Sequence, residues 1–162
     1  MPVEATIGKA RAELAAGNHR RAKEIVHSSL GNYGYSPKLY RFYGEILLSM
    51  GDELQAGRYL FYSVDNPNTV EREAIDLFLE RHGGENFKAL LAAGPKFHAQ
   101  SLSDFPSFAR RRLSELGAPE NLERAMKSDN LGWLWLSGCL LAALVIMVLA
   151  VIGAFTVIQH LF

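Results

Sequence analysis

The chain has 162 residues, and its 17 basic and 17 acidic side chains balance to a formal net charge of +0. That balance argues against a nucleic-acid partner, which needs a basic footprint, and the single cysteine, Cys139, excludes an internal disulfide. The average hides a partition: no Lys, Arg, Asp or Glu occurs from Leu131 to Phe162, so every formal charge lies in the first 130 residues.

In chain order, Met1-Pro2-Val3-Glu4 leads into charged, helix-forming sequence. A secretory signal would show a basic start and an apolar run of roughly 7–15 residues. The N-terminal part is therefore expected to stay on the side of the membrane where it is made. Sliding the chain against itself gives matches at an offset of 34: Gly17 with Gly51, Ala22 with Ala56, Leu14 with Leu48, Ser29 with Ser63. Ala10 becomes Gly44, and Val26 becomes Leu60, at the same offset. The pattern predicts two antiparallel helix pairs. Gly17-Asn18 and Gly51-Asp52 make the tight turns, where a left-handed backbone suits glycine. Small residues at Ala10, Gly44, Ala22 and Ala56 let the helices of a pair approach. Pro37 and Pro67 punctuate between pairs. A weaker third copy is expected from the amphipathic stretch Val70 to Arg81, then Gly84 and a helix carrying Phe87, Leu90 and Leu91.

All six tyrosines fall between Tyr33 and Tyr62. Tyrosine combines a large apolar area with a hydroxyl and suits binding surfaces. Tyr40, Phe42 and Tyr43 spread around a helix and are not all expected to face the core, so some of the cluster is expected to be exposed or paired across an interface. Tyr33, Tyr35, Tyr40, Arg41 and Tyr43 are the candidate partner-binding residues. Core packing is the competing role, and the preferred one for Tyr59 and Leu60.

Gly94-Pro95 closes this first region, residues 1–94. In the connector, residues 95–130, an apolar stripe runs through Phe105, Phe108, Ala109, Leu113 and Leu116, with Arg110, Arg111 and Arg112 on or beside the polar face. Gly117 and Pro119 stop it. Two roles are open: a cap that seals the last repeat, or an interfacial helix with its arginines on anionic head groups. The cap is preferred, because repeat arrays need a terminal seal. A second short helix, Glu120 to Lys127, is expected to lead into residues 131–162.

Trp133 to Ile158 forms an apolar run of 26 residues. As a helix it would measure roughly 39 Å, against about 30 Å of bilayer hydrocarbon. Trp133 and Trp135 suit an interfacial belt, and the basic residues before the run place the N-terminal domain in the cytosol. The expectation is a single-pass tail anchor in the lipid bilayer. Gly138 with Ala142 and Ala150 with Ala154 are small-xxx-small pairs that would admit a transmembrane helix partner.

No chemistry stands out. The chain has no GxSxG, HExxH, Walker-type or CxxC motif, and His19, His27, His82 and His98 lack a metal-ligand spacing. No enzyme activity, cofactor or metal is expected.

The stretch from Thr6 to Gly94, through Ala10, Gly17, Ala22, Gly44, Gly51, Ala56 and Pro67, resembles a tetratricopeptide-like helical repeat, whose period is about 34 residues. Thr6 and Tyr40 stand where that family has a tryptophan. The opening MPVEATIGKARAELAAGNHRRAKE resembles an uncharacterised bacterial family carrying this domain, which implies a bacterial inner membrane. In plan the chain is similar to the tail-anchored mitochondrial fission adaptors, which join two such repeats to one anchor. Together these imply an all-α fold, a short array of helix pairs followed by one C-terminal transmembrane helix. The expected function is an adaptor that holds a soluble protein partner at the cytosolic membrane face. The alternative is an accessory subunit assembled through its transmembrane helix. On the adaptor reading, replacing Tyr40 and Tyr43 by Ala weakens partner capture and leaves the domain folded.

Overall fold

The computed structural model describes residues 3–82, 86–95, 99 and 101–122, which are all helical or irregular. They hold seven α-helices: α1 Val3–Ala15, α2 His19–Tyr33, α3 Pro37–Ser49, α4 Glu53–Phe61, α5 Thr69–His82, α6 Phe87–Ala93 and α7 Ser107–Glu115. A short 3-10 turn, Leu102–Asp104, precedes α7. The only extended pairing among the described residues is one bridge, Ser101 with Asn121. The chain divides into two units, Met1–Glu123 and Arg124–Phe162, and every described residue belongs to the first.

The 34-residue offset is visible in the backbone. Helices α1 and α3 each have 13 residues and start 34 apart, as do α2 and α4. Their turns close with the same bonds. Gly17 N–H donates to Leu14 O at 2.9 Å and Gly51 N–H to Leu48 O at 3.0 Å. Asn18 N–H donates to Glu13 O at 2.8 Å and Asp52 N–H to Leu47 O at 3.0 Å. Both glycines take the left-handed conformation, φ 78° and 76°, which costs a side-chain-bearing residue strain. Pro37 opens α3, where a missing N–H costs nothing.

The core centres on α3 and α4. Helix α3 buries Leu39, Tyr40, Phe42, Tyr43, Gly44, Ile46 and Leu47, and α4 buries Ala56, Gly57, Leu60 and Phe61. Close approach depends on missing side chains. A Cβ at Gly44 would lie 2.6 Å from Leu60 Cγ, and a Cβ at Gly57 would run into the carbonyl of Ala74 on α5. Helix α4 is shorter than α2 (9 residues against 15), and the buried Tyr62, Ser63 and Val64 carry the chain round to α5.

Helix α5 starts on a reciprocal cap: Glu71 N–H donates to Asn68 Oδ1 at 3.0 Å, and Asn68 N–H to Glu71 Oε2 at 2.9 Å. Helix α7 is capped from a distance, with Ser107 N–H donating to Asp65 Oδ1 at 2.7 Å. That bond draws the Asp65 carboxyl below its ordinary range. Phe108, Ala109 and Leu113 of α7 are buried. Phe108 meets the ring of Phe61 at 6.1 Å, and Phe105 meets Tyr62 at 5.7 Å. The apolar face of α7 is thus covered by protein.

Gly84 lies outside the described residues, as do the connector beyond Leu122 and the apolar run with Gly138, Ala142, Ala150 and Ala154. Among the described residues, no helix is long and apolar enough to cross a membrane.

Candidate functional site

Helices α2, α3 and α4 enclose an open groove of about 540 Å³. Helix spacing explains its lining, because residues three or four apart share a face. Arg20, Lys23, Glu24 and His27 come from α2; Tyr43, Leu47 and Met50 from α3 and its end; Gln55, Arg58 and Tyr59 from α4. The floor is aromatic. Tyr43 and Tyr59 meet edge to face with centroids 4.7 Å apart, and His27 lies 6.0 Å from Tyr43. Tyr40 backs Tyr59 at 5.6 Å. Met50 stands exposed at the lip, a flexible apolar side chain suited to adaptable contacts.

The rim is basic on balance, with Arg20, Lys23 and Arg58 against Glu24. Arg20 pairs with Glu24 at 3.4 Å, and Lys23 reaches Asp52 at 3.8 Å. Both pairs are exposed and therefore weak. Arg58 is tied more firmly: its guanidinium donates to Gly94 O at 2.7 Å and lies over the Tyr59 ring. Burial, with neighbouring Tyr59 adding to it, pushes the hydroxyls of Tyr40 and Tyr43 up to about 12. Both hydroxyls are therefore protonated at physiological pH. Among the described residues, no three His, Cys, Asp or Glu side chains gather closely enough to hold a metal ion.

Of the five residues expected to bind a partner, only Tyr43 lines this groove. Tyr33 is half-buried at the end of α2, its hydroxyl 3.4 Å from Thr6 Oγ1. Tyr35 donates its hydroxyl to Tyr62 O at 2.6 Å and packs against Tyr40 and Phe105. Arg41 reaches the buried Glu71 carboxylate at 3.1 Å and so ties α3 to the start of α5. The expectation that Tyr40, Phe42 and Tyr43 cannot all face the core is corrected: they are 2%, 7% and 3% exposed. Helix α3 has neighbours on several sides, so rings around its circumference all find cover. Phe42 is covered partly by Arg11, whose guanidinium lies 5.5 Å from the ring centroid. A Tyr40 and Tyr43 double replacement would therefore remove two buried rings and is no clean test of binding.

The groove residues missed in the sequence are Arg20, Lys23, Glu24, His27, Leu47, Met50, Gln55, Arg58 and Tyr59. The i, i+3, i+7 spacing of Arg20, Lys23 and His27 was the available signal. It reads as an ordinary solvated face until α4 is placed opposite.

No curated protein and no solved structure matches the chain significantly. A family model described as a family of unknown function, DUF6584, matches residues 1–159. With nearly its whole length covered by that model, the chain belongs to the family of unknown function DUF6584.

Proposed function

We propose that this chain is a membrane-anchored adaptor whose tetratricopeptide-like helix pairs hold a segment of a soluble protein in the groove between α2, α3 and α4. The observation that carries this reading is the groove itself: an aromatic floor, an exposed methionine at the lip and a rim with more basic than acidic groups. Such a surface suits a short segment with one apolar side chain flanked by acidic residues, a helix or extended peptide lying in a groove. The charge-free stretch from Leu131 to Phe162 supports the anchor, with the helical domain on the cytosolic face of what the opening's resemblance makes a bacterial inner membrane.

The test is charge reversal at the rim, Arg20→Glu with Lys23→Glu, in the full chain. Arg20 is exposed and Lys23 partly so (side-chain exposures 90% and 35%), so the fold should survive. Capture of an acidic partner should fall at least about tenfold, from lost steering and lost charge-assisted bonds. Undiminished capture by a folded variant rejects the groove. Loss of capture instead on Gly138→Leu with Ala142→Leu would move recognition to the apolar segment.

A further inference from the structure

We propose that Arg72 and Arg111 clamp a phosphate group in the cleft between α5 and α7. The cleft measures about 420 Å³ and is lined by Arg72 and Asp76 from α5 and by Phe108, Arg111, Arg112 and Glu115 from α7. The Arg72 guanidinium lies 5.4 Å from the centroid of the Phe108 ring, and that of Arg111 lies 5.8 Å from the same centroid. Two like charges thus converge on one ring. Neither makes an ion pair within the described residues. Arg72 stands four residues before Asp76, a spacing at which helix surfaces readily pair, yet its guanidinium lies over the ring. Arg112 is neutralised by Glu115 at 3.2 Å. Asp76 then remains against two arginines, and the cleft keeps one excess positive charge.

A guanidinium held beside an aromatic ring spends none of its N–H donors on a protein acceptor there. Two such forks suit a tetrahedral oxyanion, which accepts paired hydrogen bonds from each. A carboxylate has one plane of acceptors, whereas a phosphate offers oxygens to both arginines at once. A soluble phosphomonoester and a lipid head group both carry such a phosphate; the chemistry is common to both. Arg110, the neighbour in sequence, is outside the cleft lining and exposed.

The experiment follows the arginine Nε–Hε resonances of the full chain in maltoside micelles, which contain no phosphate. One arm titrates inorganic phosphate against chloride at matched ionic strength. The other dopes the micelles with short-chain phosphatidic acid against phosphatidylcholine. Saturable shifts of Arg72 and Arg111 in both arms support a general phosphate clamp. A response to phosphatidic acid alone supports a head-group site, and a response to inorganic phosphate alone a soluble ligand. Arg72→Gln with Arg111→Gln should weaken the response at least about tenfold, with Arg110→Gln unchanged. Should the glutamine pair fail to fold, Arg72→Lys with Arg111→Lys keeps the charges, removes the forks and should still weaken binding. No saturable shift in either arm, or full binding by a folded double variant, overturns the proposal.

Discussion

The two helix pairs share their boundaries and differ in their interiors. Helices α1 and α2 bury only Thr6, Ile7, Ala10, Ala22 and Val26. Helices α3 and α4 bury eleven residues, four of them aromatic or glycine at close crossings on α3 alone. One backbone plan thus supports a thin outer pair and a dense inner pair. The outer pair has a neighbour on one side, and the inner pair is flanked by α2 and α5. Equivalent positions therefore carry different energetic weight, and the aromatic density of the inner pair supplies the floor of the groove.

The sharpest way to break that comparison is to truncate the equivalent residues Val26 and Leu60, both fully buried. Leu60→Ala should cost about 2–5 kcal/mol, and Val26→Ala about half as much, in denaturant unfolding. Costs in proportion to the carbons removed, two from Val26 against three from Leu60, would show the outer pair to be as tightly packed as the inner one. Gly57→Ala comes next. It pushes a methyl into the Ala74 carbonyl of α5, where only backbone can yield, for about 1–3 kcal/mol. Ala at Gly8, which has open space around it, should be neutral or stabilising.

Alkaline titration reads the inner pair directly. Tyr40 and Tyr43 are raised from 10.0 to about 12, so between these values the folded chain holds protons that the unfolded chain releases. Their contribution to stability is complete below pH ~10 and is lost as pH rises toward 12. Helical circular dichroism and tyrosinate absorbance should change together in that window. Early ionisation of the buried tyrosines in a still-folded chain would contradict their burial. The smallest effect is expected at Asp65. Its depressed carboxyl contributes stability above the ordinary carboxylate range, and that contribution is lost as pH falls through its folded value. Asp65→Asn should lower the Tm by a few degrees at neutral pH, with the difference vanishing in acid.

Much of the first two helix pairs was legible because its signals are local. Gly17 and Gly51 answer to a backbone conformation, Pro37 to a helix start, and Ala10, Gly44, Ala22 and Ala56 to close approach. The site was less legible because it is made by elements brought together from a distance. Gly57 gives no hint on its own that α5 crosses there, and Arg41 looks like a free surface charge until Glu71 is placed beside it. The burial of Tyr40, Phe42 and Tyr43 was hidden for a related reason: periodicity shows which residues share a face, but it cannot show how many faces of α3 are covered.

The most direct test of the central claim is site-specific photocrosslinking in intact cells, with p-benzoylphenylalanine placed in the full chain at position 50 or position 70. Met50 stands at the groove lip, 41% exposed, and Val70 on α5 is 58% exposed and outside the groove. A partner band from position 50, absent from position 70 and lost with Arg20→Glu and Lys23→Glu, is the predicted result. A band from position 70 alone, or one from position 50 that ignores the charge reversal, would contradict the groove as the place where the partner is held.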